Sequence, residues 1–226
     1  MKIQKIIRQI RSILSGAARI HFSQYGEDVY LHKKFRQSDF DQYYIDVGAH
    51  HPYHLSNTAY LWTLGWKGTN VDASKTAIET FNKVRPGDLN IHAAVVSEAT
   101  QKHKKSITFY SNKDVDNCAT CDPQIAAQRN LKHTSVVDCI TLTDVIKNTQ
   151  SKFGNKFGLL NIDIEGLDEE AVSDIHLWPV KPTIIMIEIY GNDIIEILTS
   201  STHETLKASG YTFTQRISHT AIYERV

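Results

Sequence analysis

Apolar and polar positions alternate in blocks along this chain, and the blocks follow two periods. Residues 43–47 form a short apolar run that ends at Gly48. Polar turn residues follow, and Ser56 or Asn57 can cap a helix running to about Thr63. Gly65 and Gly68 bracket a second apolar run, which ends at Asp72. This reads as strand, turn, helix, strand, acid: half of a nucleotide-binding βαβ unit. Ser74 then caps a predicted helix to Val84, and residues 89–96 read as a third strand. Residues 106–110 form a strand near an edge, because basic residues precede them, and residues 136–140 form another. Thr141 or Thr143 caps a helix through Ile146.

The two most apolar runs come later. Residues 157–164 read FGLLNIDI and residues 183–189 read TIIMIEI. Near-continuous apolar strands are expected where helices cover both faces of a parallel sheet. A helix over 168–175 lies between them. A helical region over 194–209 breaks near Ser200, and residues 211–217 and 220–224 close the chain as an antiparallel hairpin. Residues 111–132, which include Asp114, Asp116 and Asn117, are irregular apart from a short helical run near 125–129, and read as a pocket-shaping loop or a plain surface loop. Residues 22–31 mix aromatic and polar side chains and lead into a short helix to about Phe35, and residues 37–42 are a polar linker.

Before all of this stands a helical pattern over residues 1–19. Ile3, Ile6, Ile7, Ile10, Ile13 and Leu14 recur at helical spacing, with Lys2, Lys5, Arg8, Arg11 and Arg19 between them and Gly16 weakening its end. Such a helix packs on its domain or on a second subunit of a homodimer, or lies on an anionic membrane. The expected organisation is a basic amphipathic helix over 1–21 and one domain over 22–226, variable at 111–135.

Composition narrows the choice. The 226 residues are 41% hydrophobic, enough for one well-buried domain. Twenty-five Lys and Arg balance 25 Asp and Glu, which gives no support to a nucleic-acid surface. Three cysteines do not suggest a disulfide framework, and Cys118 and Cys121 read as free thiols more readily than as a redox or metal pair. No apolar run is long enough to span a membrane and no signal peptide is evident, so the expectation is a cytoplasmic protein, with peripheral membrane contact through residues 1–19 as the variant.

The first strand and its turn carry the candidate chemistry. Gly48 lets backbone approach a ligand, and Asp72 lies where ribose hydroxyls need an acceptor. Ala49 and His50 stand where a dinucleotide fingerprint wants glycines, so an adenosine ligand without a pyrophosphate fits better than a dinucleotide, and a plain structural turn is the remaining alternative. Three strands end in acids: Asp46, Asp163 with Glu165, and Glu188. A carboxylate in an apolar strand is costly unless it is hydrogen-bonded or holds a cation. If the strands are neighbours, all four acids face one cleft. His50, His51 and His54 occupy the loop after the first strand, and a histidine is a natural base near neutrality. Asp163, Glu165 and a histidine can hold a divalent metal, but no tight motif favours it.

The sets SQYGED (23–28), YIDVGAH (44–50), SNT (56–58), LGWKGTNVDA (64–73) and NIDIEG (161–166), with TIIMIEI after them, together resemble the FkbM family of S-adenosylmethionine-dependent methyltransferases. The resemblance runs from about Phe22 to the C-terminus. It implies an α/β fold of class I methyltransferase (Rossmann-like) type: a three-layer sandwich on a mostly parallel seven-stranded sheet with a C-terminal antiparallel hairpin. It implies O-methylation of a hydroxyl on a sugar, polysaccharide or related metabolite, with S-adenosyl-L-methionine as donor. Asp46, Gly48 and His50 would lie at the methionine end of the donor, Asp72 and Ala73 at the ribose, and Ala93, within residues 90–95, at the adenine. Asp163 would touch the donor and, with Glu165, line the cleft; Gln24, Tyr25, Asp28, His54, Glu165 and Glu188 would face the acceptor. His50, Asp163 and Glu165 are the candidates for the base. Many relatives carry Asn at the position of His50, and residues 111–132 follow no family pattern. The alternatives are a non-catalytic cofactor-binding or scaffold protein of the same fold, an NAD-linked or nucleotide-sugar enzyme, which the lone Gly48 disfavours, and a methyltransferase acting on a membrane-associated acceptor.

Overall fold

The computed structural model describes residues 2–16, 20–35, 42–112 and 116–225. Arg19 and Asp114, and all of the expected linker except Gln42, lie outside the described residues. Ten strands are present among those described. They are β1 (Tyr43–Val47), β2 (Lys67–Asp72), β3 (Leu89–His92), β4 (Ala94–Val96), β5 (Ser106–Ser111), β6 (His133–Thr141), β7 (Phe157–Ile162), β8 (Ile184–Glu188), β9 (Tyr211–Ile217) and β10 (Thr220–Arg225). Seven of them form the main sheet in the order β3-β2-β1-β7-β8-β10-β9. β3, β2, β1, β7 and β8 run parallel, and β10 pairs antiparallel with both β8 and β9. This is a Rossmann-like methyltransferase sheet, as the resemblance implied.

Side-chain alternation builds the two faces. Tyr43, Ile45 and Val47 of β1 join Leu160 and Ile162 of β7 and Ile185 and Ile187 of β8 in one core. Tyr44, Leu159, Ile184 and Met186 point the other way into a second core with Leu31, Phe35, Leu61 and Trp66. The period of two that gives one-faced patterns on half-exposed strands here gives two buried faces. The helices are α2 (Glu27–Phe35), α3 (Ala59–Thr63), α4 (Lys75–Val84), α5 (Glu98–His103), α6 (Pro123–Gln128), α7 (Leu142–Phe153), α8 (Asp168–Val172), α9 (Ile194–Leu198) and α10 (Ser201–Ala208), after the N-terminal α1 (Lys2–Leu14); α5 and α6 lie against β6 and β5 of a second, smaller sheet. Ser74 and Thr141 cap α4 and α7 by accepting from Ala77 N and Asp144 N. Ser200, where the helical region was expected to break, caps α10 by accepting from His203 N.

Three expectations need correcting. Residues 89–96 are two strands, not one: the Ala93 N–H turns aside to the Asp72 carbonyl (3.1 Å), β3 stays in the main sheet, and β4 joins a separate sheet in the order β4-β6-β5. The helix after Thr141 runs on to Phe153, because Val145, Ile146 and Thr149 continue its buried stripe. The helix expected over 168–175 stops at Val172 and resumes as a short 3-10 turn over Ile175–Leu177.

Candidate active site

Chain order along the sheet reverses between β1 and β7. Helical connections leave in opposite directions there and open a crevice beyond the strand ends. A cavity of about 320 Å³ fills it, walled by the loops after β1, β2, β7 and β8 and by residues 116–121. Gln24, Tyr25, Asp46, Gly48, His50, Asp72, Ala73, Ala93, Asp163, Glu165 and Glu188 all line it.

The β1 side is a hydrogen-bonded block. Asp46 is buried and accepts from Thr58 Oγ1 (2.6 Å) and from Asn161 Nδ2 (2.9 Å) on the neighbouring strand. Asn57 donates to Asn161 Oδ1 (2.9 Å), and Ser56 Oγ accepts from the Ala59 N–H (3.1 Å). Thus Thr58 and Asn57 of the SNT set tie the turn to β1 and β7, while Ser56 holds the first residue of α3. Beneath them lies Arg85, fully buried. It donates to Tyr44 Oη (3.1 Å), Thr58 Oγ1 (3.0 Å), Ser56 Oγ (3.3 Å) and the Pro52 carbonyl, and it stacks 5.1 Å from the Phe81 ring centre. Tyr44 passes the network on to Asp88 (2.5 Å). Burial raises the Asp46 carboxyl, and the Thr58 and Asn161 hydrogen bonds and the Arg85 charge pull it back.

Asp72 ends β2 and holds two loops by their backbones. It accepts from His50 N (2.8 Å) and Ser74 N (2.6 Å). Burial pushes its pKa up to about 6 against those two bonds. Gly48 lines the cavity and has a second role that the sequence did not suggest: its φ is +78°, and a Cβ would collide with the Asp163 carbonyl, so the residue lets the β1 loop cross the β7 loop. His50 and Glu165 both take φ of +54° on the cavity wall. That costs a non-glycine residue about 1 kcal/mol and persists only where the surroundings impose it.

The β7 and β8 side is a cluster of acids. Asp163 is exposed on the cavity wall, with protein atoms and other acids crowding its carboxyl. Burial first, then the charges of Glu188, Asp168, Glu165 and Asp46, hold its carboxyl well above the usual range. Glu188 is raised to about 7 by burial and by Glu165 and Asp168, and its Oε2 is buried with no hydrogen-bond partner among the described residues. Glu165 Oε2 accepts from Arg129 (2.7 Å) and Tyr190 Oη (2.7 Å). Oxygens of Asp163, Glu165 and Glu188 lie within 4.8 Å of one another, close enough to surround one cation. A histidine was the expected third member of such a set; Glu188 takes that place among the described residues.

Two residues expected on the acceptor side are elsewhere. Asp28 is buried in its own turn, accepting from Phe22 N (2.7 Å) and Ser23 Oγ (2.7 Å), so its carboxylate shapes the SQYGED loop without reaching the cavity. His54 is exposed, its N–H spent on His51 Nδ1 (2.9 Å). Others were missed. Arg85 reads in sequence as a helix-ending residue before Pro86. Arg129 stands at the end of the short helical run near 125–129, Tyr190 follows the last parallel strand, and Phe109 reaches the wall from the small second sheet. Asp168, pushed up to about 6 by burial, accepts from the Ile164 and Gly166 N–H groups and fixes the NIDIEG turn. Cys118 and Cys121 are free thiols on the wall, and burial raises Cys121 to about 12, so it stays protonated and unreactive.

A parallel sheet with an antiparallel C-terminal pair, and a cavity at its switch point, define a Rossmann-like methyltransferase. The chain belongs to the FkbM methyltransferase family: the Methyltransferase FkbM domain matches residues 46–213. No curated protein matches the chain.

Proposed function

We propose that this methyltransferase uses S-adenosyl-L-methionine and methylates a hydroxyl of a sugar, polysaccharide or related small metabolite. The observation that carries the reading is the division of one cavity: a single backbone-tied acid, Asp72, on one side and three acids with oxygens within 4.8 Å of one another on the other. The residues present suit the donor. Asp72 can accept from ribose hydroxyls, and Ala73, Ala77, Ala93, Val95 and Phe109 offer small and apolar surface to a purine. The acids at the ends of β1 and β7 suit a cationic ammonium and sulfonium. When bound, the donor supplies a methyl group already activated on positive sulfur; the methyl carbon leaves sulfur for the acceptor oxygen, and the C–S electron pair stays on sulfur.

The protein aligns the acceptor, excludes water and takes the hydroxyl proton. Of the three candidate bases, Glu165 has one oxygen committed to Arg129 and Tyr190. Asp163 has its carboxyl raised above the usual range by burial and by the neighbouring acids, Glu188 first among them, which is the direction general-base work needs. Tyr25 and Tyr190 flank a polar mouth of the kind that receives a polyhydroxyl acceptor.

Calorimetry with the donor and mass spectrometry for a gain of one methylene unit on a saccharide panel test this together. Asp72→Asn weakens donor binding at least about tenfold, since it removes one charge-assisted acceptor. Asp163→Asn lowers turnover about 10²–10³-fold and leaves donor affinity within a few-fold. Equal loss of donor binding in both variants, or no donor uptake by folded protein, defeats the reading.

A further inference from the structure

The N-terminal helix α1, Lys2–Leu14, takes no part in the cavity. At 100° per residue, positions 3, 6, 7, 10, 13 and 14, all Ile or Leu, fall in an arc of about 120°. Positions 2, 5, 8 and 11, all Lys or Arg, fill the opposite side and both margins of that arc. The stripe is uncovered: Ile6 is 53% exposed, Ile10 51% and Leu14 81%. Ile20, just beyond, is also exposed.

Charge separates this segment from the rest of the chain. No acid precedes Glu27, while Lys2, Lys5, Arg8, Arg11 and Arg19 are five of the 25 basic residues. Setting those five aside leaves 20 bases against 25 acids in residues 22–226. A neutral chain is thus a cationic helix joined to an anionic domain. The domain can attract the helix through its basic side, but that contact leaves the isoleucine stripe in water. Two copies meeting stripe to stripe would bring basic margins together with no acid on either helix to pair them. A surface that is apolar below and negative above satisfies both sides of the helix at once. The segment is too short and too charged to cross a bilayer, and among the described residues no helix is long and apolar enough to do so.

We propose that α1 is an in-plane anchor that seats the protein on an anionic lipid bilayer. The isoleucines enter the acyl boundary while the Lys and Arg side chains meet the headgroups. Gln24 and Tyr25, on the cavity wall, follow shortly after Leu14, so anchoring holds the mouth of the cavity near the lipid surface. The inference stands on the helix alone and does not depend on the donor or the acceptor.

Flotation of the full chain with vesicles tests it. On phosphatidylcholine vesicles containing phosphatidylglycerol, the expected partition is at least about tenfold above that on phosphatidylcholine alone, and it falls as salt rises. Ile6→Asp with Ile10→Asp abolishes it, and Lys5→Glu with Arg8→Glu reduces it at least about tenfold, both without change in the thermal midpoint or in donor binding, since the helix makes neither. Absence of flotation on every vesicle overturns the proposal, as does equal flotation of the isoleucine variant. So does sedimentation showing a dimer that the isoleucine variant dissolves while the parent ignores vesicles, because the stripe then serves a second copy.

Discussion

The two halves of the cavity are built on opposite principles. On the β1–β2 side the polar groups are buried and most are partnered, with Asp46, Thr58, Ser56 and Tyr44 joined through Arg85, although Arg85 Nε and Asn57 Oδ1 have no partner among the described residues. On the β7–β8 side three acids crowd together, an oxygen of Glu188 has no partner among the described residues, and Glu165 is tied to Arg129 at the end of α6 and to Tyr190 in the loop after β8. A satisfied network in low dielectric is rigid. A partly satisfied one keeps free capacity for a proton, a cation or a hydroxyl. The first half is therefore suited to hold a constant ligand and the second to meet a variable one.

Arg85→Met breaks this contrast most severely. It removes the one cation beneath the turn and strands Ser56, Thr58 and the Pro52 carbonyl without their shared donor. Breaking a buried charged network in this way costs about 3–5 kcal/mol. Chemical denaturation reads the loss, and donor binding falls with it, since Arg85 holds the loop of His50 through the Pro52 carbonyl and reaches Asp46 through Thr58. Stability within 1 kcal/mol of the parent would show that the block is not held from below.

The corresponding lesion on the other side is milder. Arg129→Leu removes the link between residues 116–132 and Glu165, whose ion pair is half-open to solvent. The segment keeps other ties: Thr120 Oγ1 donates to the Glu165 carbonyl (2.7 Å), and Ile125 packs where a side chain on Gly166 would stand. About 1–2 kcal/mol of stability is lost. The acceptor KM rises several-fold while donor affinity holds. A parallel fall in donor affinity would merge the two halves into one.

How much of this the sequence disclosed follows the same divide. β1, β2, β7 and β8, and the acids at their ends, are visible because burial on both faces leaves unbroken apolar runs in which any carboxylate is conspicuous. Caps such as Ser74 and Thr141 are local chemistry and equally readable. Arg85 was hidden because its partners are 15 to 41 residues away in the chain. Asp28 and Asp163 are both acids after turns, and only the folded backbone tells which one closes its own loop. Gly48 was found for an incomplete reason, since the carbonyl it accommodates belongs to the loop after β7, more than a hundred residues later.

The smallest expected effect concerns protons. Asp72 and Asp168 are raised to about 6 and Glu188 to about 7, above their ordinary values near 4. The native state therefore binds these protons more tightly than the unfolded chain. Their contribution to stability is complete below about pH 4 and is lost as pH rises through about 6 to 7. Glu170 and Glu224, held below their ordinary value, act in the opposite sense but only below about pH 4.5. The ligand-free protein should melt at a lower temperature at pH 8 than at pH 5. Glu188→Gln isolates the share of the acidic cluster. The amide cannot ionise, so the variant matches the parent at pH 5 and exceeds it at pH 8, by about 1 kcal/mol once solvent screening of this partly open group is allowed for. Asp72→Asn lacks that simple gain, because its amide would turn a donor toward the His50 or Ser74 N–H. A Glu188 variant that is the less stable one at pH 8 would mean that its carboxylate is held by bonds as firm as those of Asp72, and the two halves of the cavity would then differ in residues but not in kind.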